Sequence, residues 1–169
     1  MPTAATYETF PRWATINAIA PDSGYLYVSG IYLPAGTTVS NITFLAGATA
    51  LSAGSNQWFA LFSSARAKLA ISADDTSTAW AAHAAKTLAM TTPYVTPSAG
   101  IYYIGVCVVA STVPTLMVAT GSGHNGADTV SPKLWGYTDS GLTNPASCPS
   151  TAGAVTLPGT VPRYYAYVS

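Results

Sequence analysis

The longest apolar run in the chain reads IYYIGVCVVA, over residues 101–110. β-Branched and aromatic residues fill most of this run, and such residues favour a buried, pleated strand. A membrane-spanning helix needs about 20 consecutive apolar residues, so a run of this length does not indicate a membrane protein. The run therefore predicts a buried β-strand.

Shorter strand patterns lie on both sides of this run. Residues 38–44 alternate polar and apolar side chains, which is typical of a half-buried strand. Residues 57–62 and 67–71 are separated by a short link, so they predict a pair of neighbouring strands. Further strands are expected at residues 25–29, 31–33, 87–90, 115–119, 134–137 and 163–168.

The segments between the predicted strands are rich in Gly, Pro and small residues. Loops are expected at residues 47–56, 121–131 and 138–153, and residues 74–86 predict a short helix or a turn. Many short strands separated by such turns are typical of a sandwich or a barrel. The fold class expected is all-β: a single jelly-roll-like antiparallel β-sandwich over residues 24–169.

Residues 1–23 are expected to form a short N-terminal arm ahead of this domain. Phe10 and Trp13 are three residues apart, which suits one helical turn, but three prolines in the segment favour an extended strap. An apolar arm of this kind packs on its own domain or on a neighbouring subunit. Phe10 and Trp13 are therefore candidate interface residues.

The composition indicates an uncharged surface. Charged residues make up 7% of the 169 residues and hydrophobic residues 49%, with a formal net charge of +0, whereas a typical domain carries about 25% charged residues. This balance argues against disorder, and the scarcity of surface charge favours a protein whose surface is covered in an assembly. The six basic residues form no dense run, so nucleic acid is not an expected partner. No secretory signal is expected, because the N-terminus lacks a basic segment followed by an apolar one.

Few side chains suit acid–base chemistry. The one adjacent carboxylate pair is Asp74 and Asp75. General acid–base catalysis needs two carboxyl groups that face each other across a cleft, so this pair is interpreted as capping a turn. No G-x-S-x-G motif marks a nucleophilic serine. The sequence predicts a non-enzyme with no catalytic residue.

The histidines and the glycine-rich loop do not indicate a metal or a nucleotide. His83 and His124 have no ligand-spaced neighbours, although Asp128 follows His124 by four residues. Residues 121–126 match G-x-G-x-x-G, but the sequence after them does not favour the helix that a phosphate site requires. No metal and no cofactor are expected.

Two cysteines are too few for a disulfide framework. Cys107 lies in the long apolar run, so it is interpreted as a small buried hydrophobic residue. Cys148 lies in a loop rich in Pro and Ser, and a bridge between the two is left open.

Aromatic residues are abundant, with 11 Tyr, 4 Trp and 4 Phe. Trp58 lies in an apolar strand and is expected in the core. Trp80, Trp135 and Tyr137 lie beside loops. They either pack at the ends of the sandwich or at an interface, or they stack on sugar rings as candidate glycan-binding residues.

Several stretches resemble virion proteins, of minor tail or head-decoration type, from tailed phages of actinobacteria. These stretches are YLPAGTTVSNITF (32–44), QWFALF (57–62), SADDT (72–76) followed by Trp80, and AGIYYIGV (99–106). The resemblance covers roughly residues 25–120. It implies a β-sandwich of jelly-roll type, commonly trimeric, without catalysis, and it assigns no site residues.

The leading hypothesis is a phage virion structural protein located on the capsid or tail surface. It would be a capsid decoration or head-fibre subunit that forms a homotrimer and contacts a phage capsid or tail protein. The alternative is a receptor- or glycan-binding tip domain of a minor tail protein, whose partner is a host surface glycan. A third hypothesis, an enzyme such as a cell-wall hydrolase, predicts His83 or His124 beside an Asp in a cleft.

Overall fold

The computed structural model describes residues 6–119, 130–157 and 163–169. Twelve β-strands and two 3-10 turns are present in these residues. The turns are Arg12–Ala14 and Pro145–Ser147. The strands are β1 (Tyr7–Glu8), β2 (Asn17–Ile19), β3 (Leu26–Leu33), β4 (Thr38–Leu45), β5 (Ser52–Phe62), β6 (Lys68–Ile71), β7 (Ala85–Val95), β8 (Gly100–Thr112), β9 (Leu116–Ala119), β10 (Trp135–Asp139), β11 (Arg163–Tyr164) and β12 (Ala166–Val168).

The strands form three antiparallel sheets. A four-stranded sheet has the order β1-β12-β4-β7, a five-stranded sheet the order β10-β3-β8-β5-β6, and a three-stranded sheet the order β11-β9-β2. The all-β antiparallel prediction is confirmed. Successive strands from β3 onward repeatedly change sheet, as Greek-key sandwiches require. The jelly-roll connectivity itself stays a prediction.

The main core lies between the four-stranded and the five-stranded sheet. Ile42 and Phe44 of β4 are fully buried against Phe59 of β5 and Ile104 of β8, in the same apolar cluster. The rings of Phe44 and Phe59 lie 4.8 Å apart between centroids. Full burial of each such side chain stabilises the fold by about 1.5–3 kcal/mol, so this contact between the sheets is what joins them.

A second apolar layer covers the other face of the five-stranded sheet. Leu142, Cys148, Ala152 and Val155 pack against a separate buried cluster that includes Trp58, Ala60, Phe62, Tyr103 and Cys107. Strand β8 is therefore buried on both faces, which explains why its sequence is continuously apolar rather than alternating. The long predicted loop at 138–153 is thus a structural layer of the fold.

Several sequence predictions can be compared with the strands directly. The half-buried strand at 38–44 is confirmed as β4, and the pairing of 57–62 with 67–71 is confirmed as β5 with β6. The predicted loop at 47–56 was too long, because β5 begins at Ser52. The predicted terminal strand at 163–168 is divided in two: β11 pairs with β9 and β12 pairs with β4.

The segment before β7 contains turns and no helix. Thr76 and His83 both have positive φ angles, 46° and 57°. A right-handed helix cannot include such residues, so the Ala-rich stretch around Trp80 does not follow its helix propensity.

The described part of the predicted arm pairs with strands of the same chain. β1 lies beside β12, and β2 lies beside β9. The division into an arm at 1–23 and a domain at 24–169 stays a prediction.

Candidate functional site

The two predicted interface residues have opposite environments. Phe10 is buried, with its ring edge-on to Tyr165 at 5.5 Å and the Arg163 guanidinium 5.2 Å from its centre. Trp13 is 85% exposed. Phe10 therefore holds the N-terminal segment on its own chain, and Trp13 is the residue that is free to meet a partner.

A small polar cluster fixes the turn that carries Trp13. Arg12 forms an ion pair with Glu8 at 2.9 Å, and its Nε donates to the Tyr165 hydroxyl at 3.1 Å. That hydroxyl donates to Glu8 at 2.8 Å. Burial opposes the charged form of Glu8, but the hydrogen bonds from Tyr165 and Arg12 lower its pKa below the usual value. These bonds connect Arg12, the residue before Trp13, to β1 and to Tyr165, and the Trp13 side chain is exposed.

Trp80 is not an exposed aromatic residue, contrary to the expectation for a glycan site. It is 2% exposed, and its ring lies edge-on to Phe59 at 5.9 Å. Its indole N–H donates to the Ala84 carbonyl at 3.3 Å, and Lys86 Nζ lies 5.6 Å from its ring centre. A ring enclosed in this way has no face for a sugar, and Trp80 belongs to the main core cluster.

Lys86 points inward from β7 and is 7% exposed. Its Nζ donates to Gln57 Oε1 at 2.9 Å and to the Thr78 carbonyl at 3.0 Å, and it forms an ion pair with Asp75. The Gln57 amide in turn donates to the Thr76 carbonyl at 2.9 Å and the Thr78 carbonyl at 2.8 Å. The buried ammonium is fully bonded, as a buried charge must be. This network ties the turn segment before β7 to β5.

Asp74 caps the same segment. Its Oδ1 accepts the backbone N–H groups of Gln57 and Thr76, each at 3.0 Å, and its Oδ2 accepts from Asn56. The adjacent pair of carboxylates at 74–75 therefore anchors a turn, as the sequence indicated.

The other described acidic residues also accept internal hydrogen bonds. Asp22 accepts from the Tyr27 hydroxyl at 2.7 Å, and Asp139 accepts from the Gly153 backbone N–H at 3.1 Å. Each of the five Asp and Glu residues in the described ranges thus stabilises a turn, a loop or a buried side chain.

Trp135 and Tyr137 lie on β10 and are both half-buried. Tyr137 packs edge-on against Tyr25 at 5.4 Å and Tyr27 at 6.1 Å. Trp135 lines a cavity of about 210 Å³ whose other described lining residues are Val130, Pro132, Lys133, Leu134 and Leu157. The lining is mainly apolar, with Lys133 as its charged member.

Both cysteines are buried as free thiols. Burial raises the pKa of Cys107 to about 12 and, with opposing effects from Lys68 and Asp139, that of Cys148 to about 11. A thiol with so high a pKa is protonated at neutral pH and is a poor nucleophile.

His83 is exposed, in the left-handed conformation noted above, and its backbone N–H donates to the Gly47 carbonyl at 2.7 Å. His124, Asp128 and the G-x-G-x-x-G match at 121–126 lie outside the described residues. Within the described ranges, no three His, Cys, Asp or Glu residues come together as a metal site. In the same ranges, no helix has the length and apolar character that crossing a bilayer requires.

Two features of the protein surface were not predicted from the sequence. The first is that Ile16, three residues after Trp13, is 67% exposed. The second is the cavity beside Trp135, which was not predicted because residues 130–135 and 157 are far apart in the chain.

Comparison with protein-family models, with curated proteins and with solved structures found no match to this chain.

Proposed function

We propose that this chain is a structural protein of a phage virion: a capsid decoration or head-fibre subunit that assembles as a homotrimer and contacts a capsid or tail protein. The virion assignment rests on the resemblance of residues 25–120 to phage virion proteins. The role as a surface rather than a catalyst is supported by the described acidic groups, each of which is bonded within the fold.

One observation carries the assembly role: Trp13 is 85% exposed on a turn that is held in place. An indole is among the side chains that contribute most to protein interfaces. Because the turn is already ordered, little conformational entropy is lost when a partner covers it. Ile16, three residues further along the chain, is a second large apolar side chain that is exposed in this segment.

Electron microscopy of virions labelled with an antibody against this chain tests the virion proposal. Regular labelling of the capsid or the tail is the expected result, and it also distinguishes the two positions. Particles that carry no label, from a preparation in which the same antibody detects the free protein, would refute the proposal.

A second candidate function is a glycan-binding tip domain of a minor tail protein, and the cavity beside Trp135 favours it. Trp135 and Lys133 both line this cavity, and sugar sites commonly combine an aromatic side chain with hydrogen-bond donors. Glycan-array binding that is lost in Trp135→Ala and kept in Trp13→Ala would support this function. An array without a hit for the wild-type protein would count against it.

A further inference from the structure

The cavity of about 210 Å³ beside Trp135 has a mainly apolar lining among the described residues. Leu134, Trp135 and Leu157 of this lining are half-buried. Val130 also lines the cavity and is 63% exposed, so the cavity opens to the surface on the side of Val130. The apolar walls of such an opening are in contact with water until an apolar group enters it. The cavity is therefore suited to an apolar side chain or ligand.

The size of this cavity suits an indole ring. An apolar cavity of about 150 Å³ in a protein interior holds one benzene molecule. An indole has half again as many ring atoms as benzene, and this cavity is larger than that one by nearly the same factor. The charged residue of the described lining is Lys133. An ammonium group is attracted to the face of an indole, so its charge also favours this occupant.

The chain itself has an indole that its own fold leaves uncovered. Trp13 is 85% exposed. Arg12, the residue before it, is paired with Glu8 at 2.9 Å, so the cationic charge next to the indole is compensated and does not repel Lys133 of another copy. Trp13 therefore matches the cavity of a second copy in size, in apolar character and in charge.

Trp13 and the cavity lie on the same side of the molecule. Phe10, three residues before Trp13, lies with its ring centre 5.2 Å from the Arg163 guanidinium. The Nη2 of Arg163 donates to the Gly30 carbonyl at 3.4 Å. The Gly30 N–H in turn donates to the carbonyl of Leu134, in the wall of the cavity. In a closed ring of three subunits each copy meets both neighbours near the common axis, so the two halves of a ring contact are expected close together on the surface.

We propose that the Trp13 side chain of one copy of this chain inserts into the cavity beside Trp135 of the next copy, and that three such contacts close a ring. This inference rests on the proposed homotrimer and adds the two surfaces that meet. The contact is heterologous, because a protruding side chain meets a cavity and not an identical surface, and heterologous contacts that close produce rings. Trp13 of the neighbouring copy completes the apolar lining of the cavity.

The test uses three variants of the full chain. Trp13→Ser removes the indole and leaves the cavity intact. Val130→Asp places a carboxylate in the cavity lining, at an exposed position, and leaves Trp13 intact. Val95→Asp is the matched control, because Val95 is 56% exposed at the end of β7 and is not among the described lining residues. Sedimentation velocity measures the mass, and thermal unfolding checks that each variant is folded.

We expect a wild-type protein of three copies and self-association that is at least about tenfold weaker in Trp13→Ser, which loses an anchor residue. The same loss is expected in Val130→Asp, because an inserted indole would remove water from the new carboxylate. Val95→Asp should associate like the wild type. Folded Trp13→Ser and Val130→Asp proteins that keep the wild-type mass would overturn the inference.

A mixture of the two weakened variants tests the heterologous contact itself. The cavity of Trp13→Ser is intact and Val130→Asp still carries Trp13, so the mixture should form a complex of one copy of each that neither variant forms alone. A mixture that remains monomeric would overturn the inference. A wild-type protein of two copies would indicate a reciprocal two-fold pair, and a mass that grows with concentration beyond three copies would indicate an open filament; either would overturn the ring.

A small-molecule occupant of the cavity is distinguished with 3-methylindole, the Trp side chain as a free compound. Competition for the cavity should dissociate the wild-type protein while leaving it folded. Binding of 3-methylindole to a wild-type protein that keeps its mass would show that the cavity is open in the oligomer, and it would overturn the insertion of Trp13.

Failure of this inference can be distinguished from failure of the virion proposal. A wild-type protein that is monomeric in solution, on virions that the antibody labels, would overturn the insertion of Trp13 and leave the virion location standing. Unlabelled virions with a trimer that depends on Trp13 would overturn only the virion proposal.

Discussion

Lys86 offers a quantitative test of the polar network that holds the segment before β7. Lys86→Met keeps an unbranched apolar stem beside Trp80 and removes the ammonium that Gln57, Asp75 and Thr78 share. We therefore expect the variant to fold with the same sheets and to be less stable, because the acceptors lose their donor without losing their burial.

The size of the loss follows from the burial of each acceptor. Breaking a buried ion pair by removing one partner costs about 3–5 kcal/mol. The Asp75 side chain is 23% exposed and can be hydrated in the variant, which lowers the cost, whereas Gln57 is fully buried. An unsatisfied buried acceptor costs about 1–3 kcal/mol. We expect a total loss of about 3 kcal/mol in the free energy of unfolding.

Urea unfolding and calorimetry measure this loss. For a chain of this size a loss of 1 kcal/mol lowers Tm by about 2–4 °C, so Tm should fall by about 6–12 °C. Lys68→Met is the matched control: Lys68 is half-buried and donates to one carbonyl, that of Cys148, at 3.0 Å. It should cost about 1 kcal/mol or less. A Lys86→Met variant as stable as the control would refute the reasoning.

Two further outcomes are expected. Because burial raises the pKa of Cys107 to about 12 and that of Cys148 to about 11, the folded thiols stay protonated while those of the unfolded chain ionise near pH 9. The free energy of unfolding should therefore fall as the pH rises above 9. Urea unfolding at pH 8 and at pH 9.5 measures this fall, which should be smaller in a variant with both cysteines replaced by Ala. An equal fall in the wild type and the variant would contradict the burial of the thiols. Gly136→Ala should cost more than 2 kcal/mol, because Gly136 has φ +143° and a Cβ there would collide with the Thr156 carbonyl and lie 2.8 Å from Val155. Gly100→Ala, where a Cβ meets nothing within 4 Å, is the control, and similar Tm values for the two would exclude the close approach.

The parts of the fold that could be predicted from sequence are those with a long local pattern. The apolar run at 101–110 and the alternation at 38–44 are each seven residues or longer, which is enough to predict both the strand and the burial of its side chains. By contrast, β1, β2 and β11 have two or three residues each, which is too short for a periodic pattern. Their positions depend on distant partners, so they were missed or merged with neighbouring strands.

Burial of individual aromatics could not be predicted for a similar reason. Trp80 stands among Ala and Thr residues beside a loop, which locally resembles an exposed site. Its burial comes from Phe59, which lies on β5, and from the Lys86 network. Likewise, the small-residue stretch at 138–153 shows no period, so its role as a second apolar layer is apparent only once Leu142 and Cys148 are seen against Trp58.

The two sides of β4 lie between these two cases. The alternation of β4 predicts which residues share a side, but not which side another sheet covers. That distinction required the position of β5 and β8 on the side of Ile42 and Phe44.

The most direct test of the central claim, a β-domain that assembles with copies of itself, is the mass of the wild-type protein over a dilution series at low and high salt. A multiple of the 17.3 kDa chain, three copies for the proposed homotrimer, should persist from about 0.15 M to about 1 M salt, because contacts without charge are little affected by screening. A 17.3 kDa monomer at every concentration, or an oligomer that dissociates on addition of salt alone, would contradict the claim.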